Sequence, residues 1–245
     1  MPPARRPAIP AEVWGAWVLV VGATWTSMRS PLWGGGWDVW RSPYGRVVPL
    51  GVRLLEALIW IAVPVALHLR GHRALRTMGL ALTAPQRSLA LVARYAAATL
   101  LPFVALAHLL PAARSPAAWG ATAGAYAGAV ARYVLIAGLP EEVFYRGFVQ
   151  PLVAARLPGA RRRVLGVALT PAVVLTAALF AVTHLVWEVP VQGARAWMRL
   201  LTFFPGLLFG ALREDTGDIA ASVAYHALCD ATLEVAAPHL YAYRF

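Results

Sequence analysis

The chain contains no lysine, a single cysteine and few charges of either sign: of 245 residues, 13% are charged and only 11 are acidic. One cysteine, Cys229, excludes an intrachain disulfide and leaves the redox compartment unassigned. The missing lysine goes with an abundance of alanine, arginine, proline and glycine, a property of composition that carries no mechanism. The scarcity of charge excludes more. With 60% hydrophobic residues, 10 Trp and a mean hydropathy of +0.61, the chain is too apolar for an ordinary soluble domain and reads as a polytopic membrane protein. Its formal charge of +11 sits in arginines at the ends of apolar runs, where basic loops set membrane orientation, and not in the one-sided patch that nucleic acid would need. The lipid bilayer is the expected partner, and nucleic acid is not.

A spanning helix needs about 20 apolar residues. Such runs lie near Glu12 to Met28, Val47 to Leu69, Leu89 to Leu110, Ala121 to Val153, Val164 to Trp187, Trp197 to Leu212 and Ile219 to Pro238. The expected fold is therefore an all-α membrane helix bundle of about seven transmembrane helices, roughly six to eight. That bundle accounts for residues 1–245 as one membrane-embedded domain. No small-x-small cleavage site follows Met1 to Arg6, so the first span reads as retained, with Arg5 and Arg6 anchoring it inside. The loop Ser30 to Trp40 joins glycines to tryptophans that suit the headgroup interface. Arg70 to Leu82 reads as a short connecting helix on the membrane surface. Loop arginines, among them Arg70, Arg73, Arg76, Arg87 and Arg161 to Arg163, favour a cytoplasmic N-terminus and an external C-terminus.

The fourth run contains Leu139-Pro140-Glu141-Glu142-Val143-Phe144-Tyr145-Arg146-Gly147. An acidic side chain at the centre of a spanning helix costs about 2.5 to 3.5 kcal/mol, so two in succession mark a functional site with a partner nearby. Glu142 and Arg146 are at i and i+4 on one helix face, acid first, and a guanidinium holds a carboxylate with a fork of donors. Glu141 is then the less satisfied acid. Proline kinks or restarts a helix, which would place both acids in a first turn with exposed amide hydrogens. A broken helix at membrane depth points to a cavity, while a plain packing kink with Gly138 as the small contact residue is the alternative.

Two later runs add polar residues at helical spacing: Phe180 and His184 in the fifth, His226 and Asp230 in the seventh, each pair at i, i+4. A lone histidine on an apolar helix is more often a packing residue; two of them with a diacid in so uncharged a chain converge on a common interior. Glutamate and histidine beside a trapped water form a hydrolytic pair, the carboxylate taking a proton that the imidazole helps to orient. A second histidine can donate to the oxyanion of an attacked amide.

The ordered set Glu141-Glu142-x-x-x-Arg146, Phe180-x-x-x-His184 and His226-x-x-x-Asp230, with Phe144-Tyr145-Arg146-Gly147 and Thr216-Gly217-Asp218 beside it, resembles the CPBP family of glutamic intramembrane proteases. That family includes type II CAAX prenyl endopeptidases and Abi bacteriocin self-immunity proteins. The resemblance spans a motif-bearing core of residues 139–234. It implies an endopeptidase that cuts a peptide bond near the C-terminus of a lipidated or membrane-anchored protein, without metal or other cofactor. By the same resemblance Glu141 and His184 activate water, His226 with Asp230 stabilises the oxyanion, and Glu142, Arg146 and Phe180 support the site. Many members have asparagine where this chain has Asp230; an ionised aspartate cannot donate to an oxyanion, so Asp230 either orients His226 as its acceptor partner or is protonated in the apolar setting. The composition suggests a bacterial chain in an inner (cytoplasmic) membrane, and so an anchor-processing enzyme similar to myxosortases and rhombosortases more than a CAAX enzyme.

Two other classes compete. Glu141, His184 and His226 are an accepted zinc set, although His-Glu-x-x-His is absent. A transporter or a non-catalytic immunity protein would also bury carboxylates and histidines, but internal repeats are not apparent. Cys229 and His226, at i and i+3, read as packing residue and site residue, not as a thiol pair. His68, His72, His108 and His239 fall near run ends and are assigned no role.

Overall fold

The computed structural model describes residues 9–27, 39–41, 47–109 and 122–236, so the anchor at Arg5 and Arg6, most of the tryptophan-rich loop and His239 lie outside the described residues. Among the described residues the protein is an all-α membrane helix bundle whose seven helices follow the seven apolar runs. They are α1 (Ala11–Ser27), α2 (Leu50–Arg70), α3 (Pro85–Leu109), the composite α4 (123–156), α5 (Pro171–Gln192), α6 (Phe203–Thr216) and α7 (Ala220–Ala231). Gly51–Arg70, Pro85–Leu106 and Pro171–Val189 are long and apolar enough to cross a membrane by themselves. Two small hairpins were not expected: β1 (Val39–Arg41) with β2 (Val47–Pro49), and β3 (Arg162–Val164) with β4 (Val167–Leu169). The second takes residues from the expected start of the fifth span, because Thr170 and Pro171 begin that helix. The Thr170 hydroxyl accepts from the Val173 amide, and proline at the first turn has no amide to leave unpaired. Likewise the expected run at Trp197 starts in a 3-10 stretch (Gly193–Thr202), and the α-helix begins only at Phe203.

Helix α4 passes Pro140 without breaking. Thr122 caps it by accepting from Ala125, and an α-helical stretch (Ala123–Tyr133) leads into wide π turns at Val134–Gly138 and Val143–Val149 on either side of Leu139–Glu142. The Leu139 amide reaches back to the Val134 carbonyl, five residues away, and this widening gives the proline ring the room that an α-turn denies it. Glu141 and Glu142 therefore sit inside continuous right-handed helix, and the expected restart with free amide hydrogens is not present. Gly138 is a contact residue: a β-carbon there would stand 3.0 Å from the Val223 carbonyl oxygen of α7 and 3.3 Å from that of Tyr133. Beyond it, Arg132 and Tyr133 both hold Glu234, the Tyr133 hydroxyl donating at 2.6 Å, so α4 and the π turn that follows α7 (Thr232–Ala236) are clamped at a second point.

The stretch expected to lie on the surface as a simple connector is exposed over most of its length but is pinned to the bundle at Met78 and Gly79. Residues Leu75–Met78 form one 3-10 turn, Met78 is fully buried, and it packs where Gly147 of α4 has no side chain. The Gly79 carbonyl accepts from the Ile219 amide at 2.9 Å, and Asp218 accepts from both the amide and the hydroxyl of Thr83 at 2.9 and 2.8 Å. Thr216-Gly217-Asp218 is thus a buckle between the connector and the α6–α7 turn. Burial pushes the Asp218 carboxyl up, but the hydrogen bonds from Thr83 and Ala220 outweigh it and hold the group below its usual value.

Two expectations follow. Gly138→Ala lowers thermal stability by about 1–3 kcal/mol, because two of its neighbours are backbone oxygens that cannot move aside; thermal unfolding in detergent measures it. The stabilising contribution of ionised Asp218, read as wild type minus Asp218→Asn, stays constant above about pH 4. Because the folded value is the lower one, that contribution declines only as pH falls through it. A difference that instead grew on acidification would contradict the buckle.

Candidate active site

Arg146 lies at the centre of the site and is fully buried. Its Nε stands 3.2 Å from Oε2 of Glu142, one turn earlier on α4, and its Nη2 donates to the Gly206 carbonyl at 2.8 Å. The rings of Tyr145, Phe180 and Phe209 surround the guanidinium, with centroids 5.5, 5.0 and 5.2 Å from its central carbon. Gly206 and Gly210 let α6 come this close: a β-carbon on the first would meet Ala177 and Phe180, and on the second Val173 and Gln150. This Gly-x-x-x-Gly spacing in an apolar helix is a signal for close helix packing that the sequence reading passed over.

The other oxygen of Glu142 faces α7. His226 Nδ1 is 2.9 Å from Glu142 Oε1, and its ring stacks on Phe209 at 4.6 Å. Its Nε2 is 3.6 Å from Asp230 Oδ2, too long for a hydrogen bond, so Glu142 is the closer partner that orients His226. On α5, Phe180 contributes both its ring and its backbone. The ring lies 4.4 Å from that of His184 and 5.7 Å from that of His226, and the carbonyl is 2.9 Å from His184 Nδ1. With Nδ1–H donating to that carbonyl, His184 keeps its Nε2 lone pair free.

Glu141 is buried with Oε2 unpaired, and neither a hydrogen bond nor an ion pair joins it to His184. Successive residues point about 100° apart around a helix, so Glu141 does not share the ion pairs of Glu142, although it lies near enough to His226 and Asp230 for their charges to act on it. The structure thus brings Glu142, Arg146, Phe180, His226 and Asp230 into one contact group, with His184 against Phe180 and Glu141 adjacent along α4. Among the described residues no three His, Cys, Asp or Glu side chains converge as a metal site, so the set Glu141, His184 and His226 is not assembled as ligands here. Cys229 is half-buried and lines an apolar cavity between α3, α6 and α7.

Supporting residues that carried no sequence signal complete the site. The Thr183 hydroxyl, next to His184, accepts from Trp17 Nε1 at 2.7 Å and from the Tyr145 hydroxyl at 2.6 Å, and donates to the Leu179 carbonyl. One hydroxyl so ties α1, α4 and α5 together beside the imidazole. Gln150, buried a turn beyond Arg146, donates to the Gly210 carbonyl and to Glu214. A threonine or glutamine in an apolar run looks neutral until its partners are known.

Helix bundle and buried carboxylate–imidazole centre together define a polytopic membrane protein with a polar site inside it. Residues 123–232, which contain every one of the motif residues, match the family model described as Rce1-like, type II CAAX prenyl endopeptidase Rce1-like. The match over that stretch supports the CPBP family of CAAX proteases, a family of membrane hydrolases. No curated protein and no solved structure matches the chain.

Glu142→Ala leaves Arg146 buried without its counter-ion and is expected to destabilise the fold by about 3–5 kcal/mol. Exchanging both partners, Glu142→Leu with Arg146→Met, recovers much of that loss, which a double-mutant cycle of unfolding midpoints measures. Additive effects in that cycle would show that the two side chains do not depend on each other.

Proposed function

We propose that the protein is a glutamate-dependent intramembrane endopeptidase that cuts near the C-terminus of a lipidated or membrane-anchored protein. The observation that supports this most is the division of labour between adjacent acids. Glu142 forms ion pairs with Arg146 and His226, whereas among the described residues buried Glu141 has no ion pair and its Oε2 has no hydrogen-bond partner.

In this reading a water sits between Glu141 and His184. Glu141 takes one proton from it, and His184 Nε2 accepts a hydrogen bond from the other, its ring set by the Nδ1–H bond to Phe180. The water oxygen attacks the scissile carbonyl carbon, and the carbonyl electrons move to an oxyanion. His226, held at Nδ1 by Glu142, presents Nε2 to that oxyanion when both its nitrogens carry protons. Asp230, 3.6 Å from Nε2, supports the imidazolium and does not itself donate. Collapse breaks the C–N bond, and Glu141 returns its proton to the leaving amine. Phe180, Glu142 and Arg146 hold the geometry. The enzyme works in a bacterial inner membrane with its N-terminus cytoplasmic, on an anchor-processing substrate as in myxosortase-like members.

The test is cleavage of a panel of lipidated and transmembrane-anchored peptides by the full chain in detergent. Glu141→Gln, which keeps shape and removes the base, is expected to lower the turnover number at least 100-fold with the melting temperature unchanged. His184→Ala falls by a similar factor. Cleavage that persists in both variants would sink the mechanism, and loss of wild-type cleavage on chelation would favour a metal.

A further inference from the structure

A basic hairpin stands away from the active site, at the junction of α4 and α5. Strands β3 and β4 turn through Leu165 and Gly166, and Leu165 is 97% exposed at φ +51°, a left-handed conformation that residues with a side chain rarely adopt. Val164 beside it is also exposed. The stem below this apolar tip is cationic. Arg161 and Arg163 both reach Asp215 at the end of α6, Arg163 at 2.6 Å, and Arg87 of α3 stands 3.7 Å from the same oxygen. The Asp215 side chain is 2% exposed while those of Arg87, Arg161 and Arg163 are 60%, 42% and 51% exposed. One buried carboxylate therefore gathers three guanidinium groups and leaves their outer faces open, with exposed Arg162 beside them. Positive charge stays in excess.

Next to Arg162 a groove of about 610 Å³ runs between the hairpin and the first turns of α5, walled by Ala160, Val164, Leu169, Pro171 and Val174. The site thus has two parts of opposite chemistry linked through Arg162, which lines the apolar slot and adjoins Arg161 and Arg163 of the cluster in the chain. Guanidinium groups pair with phosphate through parallel donors, and an apolar slot opening on a bilayer suits a hydrocarbon chain. We propose that this hairpin and the start of α5 bind an anionic glycerophospholipid of the surrounding bilayer. Its phosphate rests on the arginine cluster, one acyl chain lies in the groove, and the Leu165 tip inserts into the interface. Free phosphate would satisfy the arginines but leave the groove and the tip without a partner. Asp215 sets the geometry, holding the arginines in place where unpaired side chains would disperse.

The purified full chain in detergent is melted with added phosphatidylglycerol, phosphatidylcholine or inorganic phosphate. Phosphatidylglycerol raises the melting temperature by several degrees, and the other two do so by much less. The double variant Arg87→Gln/Arg162→Gln, which spares the two closest partners of Asp215, loses half or more of that shift. Leu165→Ser weakens it as well, and Arg76→Gln on the neighbouring connector keeps it. An equal shift with phosphatidylcholine, an equal shift with inorganic phosphate, or an undiminished shift in the double variant would overturn the proposal. Should a variant fail to fold, native mass spectrometry of the wild type decides. Retention of phosphatidylglycerol in preference to phosphatidylcholine supports the site, and equal retention removes it.

Discussion

The ion pair between Arg146 and Glu142 is the constraint to which the rest of the interior conforms. A guanidinium with no exposure to solvent is tolerable only if its charge is met, and three helices are shaped around that need. Helix α4 supplies the carboxylate, α6 supplies a carbonyl through the close approach at Gly206, and Tyr145, Phe180 and Phe209 supply aromatic faces. Phe180 and Phe209 also hold the two histidines, so the packing that satisfies one charge positions the imidazoles. Stability and site geometry therefore rest on the same side chains.

The wide turns of α4 have a related consequence. A broken helix at Pro140 would have exposed amide hydrogens to the site and let them compete for any anion there. The π turns absorb the proline and keep the backbone bonded within the helix, so the polar groups the site offers are side chains. Glu141 is then an acid whose surroundings neither the helix terminus nor Arg146 neutralises. Both acids lie in the stretch 123–232 that the proteolytic family model matches.

Around this interior the loops act as fasteners. The connector after α2 is drawn in by Met78 and fixed by Asp218, and the β3–β4 hairpin is fixed by Asp215. Each uses one buried aspartate near the α6–α7 turn to restrain a segment distant in sequence. Such restraint makes a short irregular segment rigid without a hydrophobic core of its own.

Composition and periodicity were enough to determine the class of fold and the seven helices, because apolar runs of spanning-helix length satisfy the backbone within each segment where lipid offers no partner. The polar residues that cluster were legible for the same reason: a charge in an apolar run has to be accounted for, and i, i+4 spacing places Glu142 with Arg146 on one face whatever surrounds them. Tertiary structure alone decided who meets whom. That His226 leans on Glu142 more closely than on Asp230, that no hydrogen bond joins Glu141 to His184, and that Thr183 ties three helices together depend on relative rotations of α4, α5 and α7. Those rotations are set by glycine contacts and by wide turns, which hydropathy does not register, because a π turn and an α turn bury the same residues while pointing them in different directions.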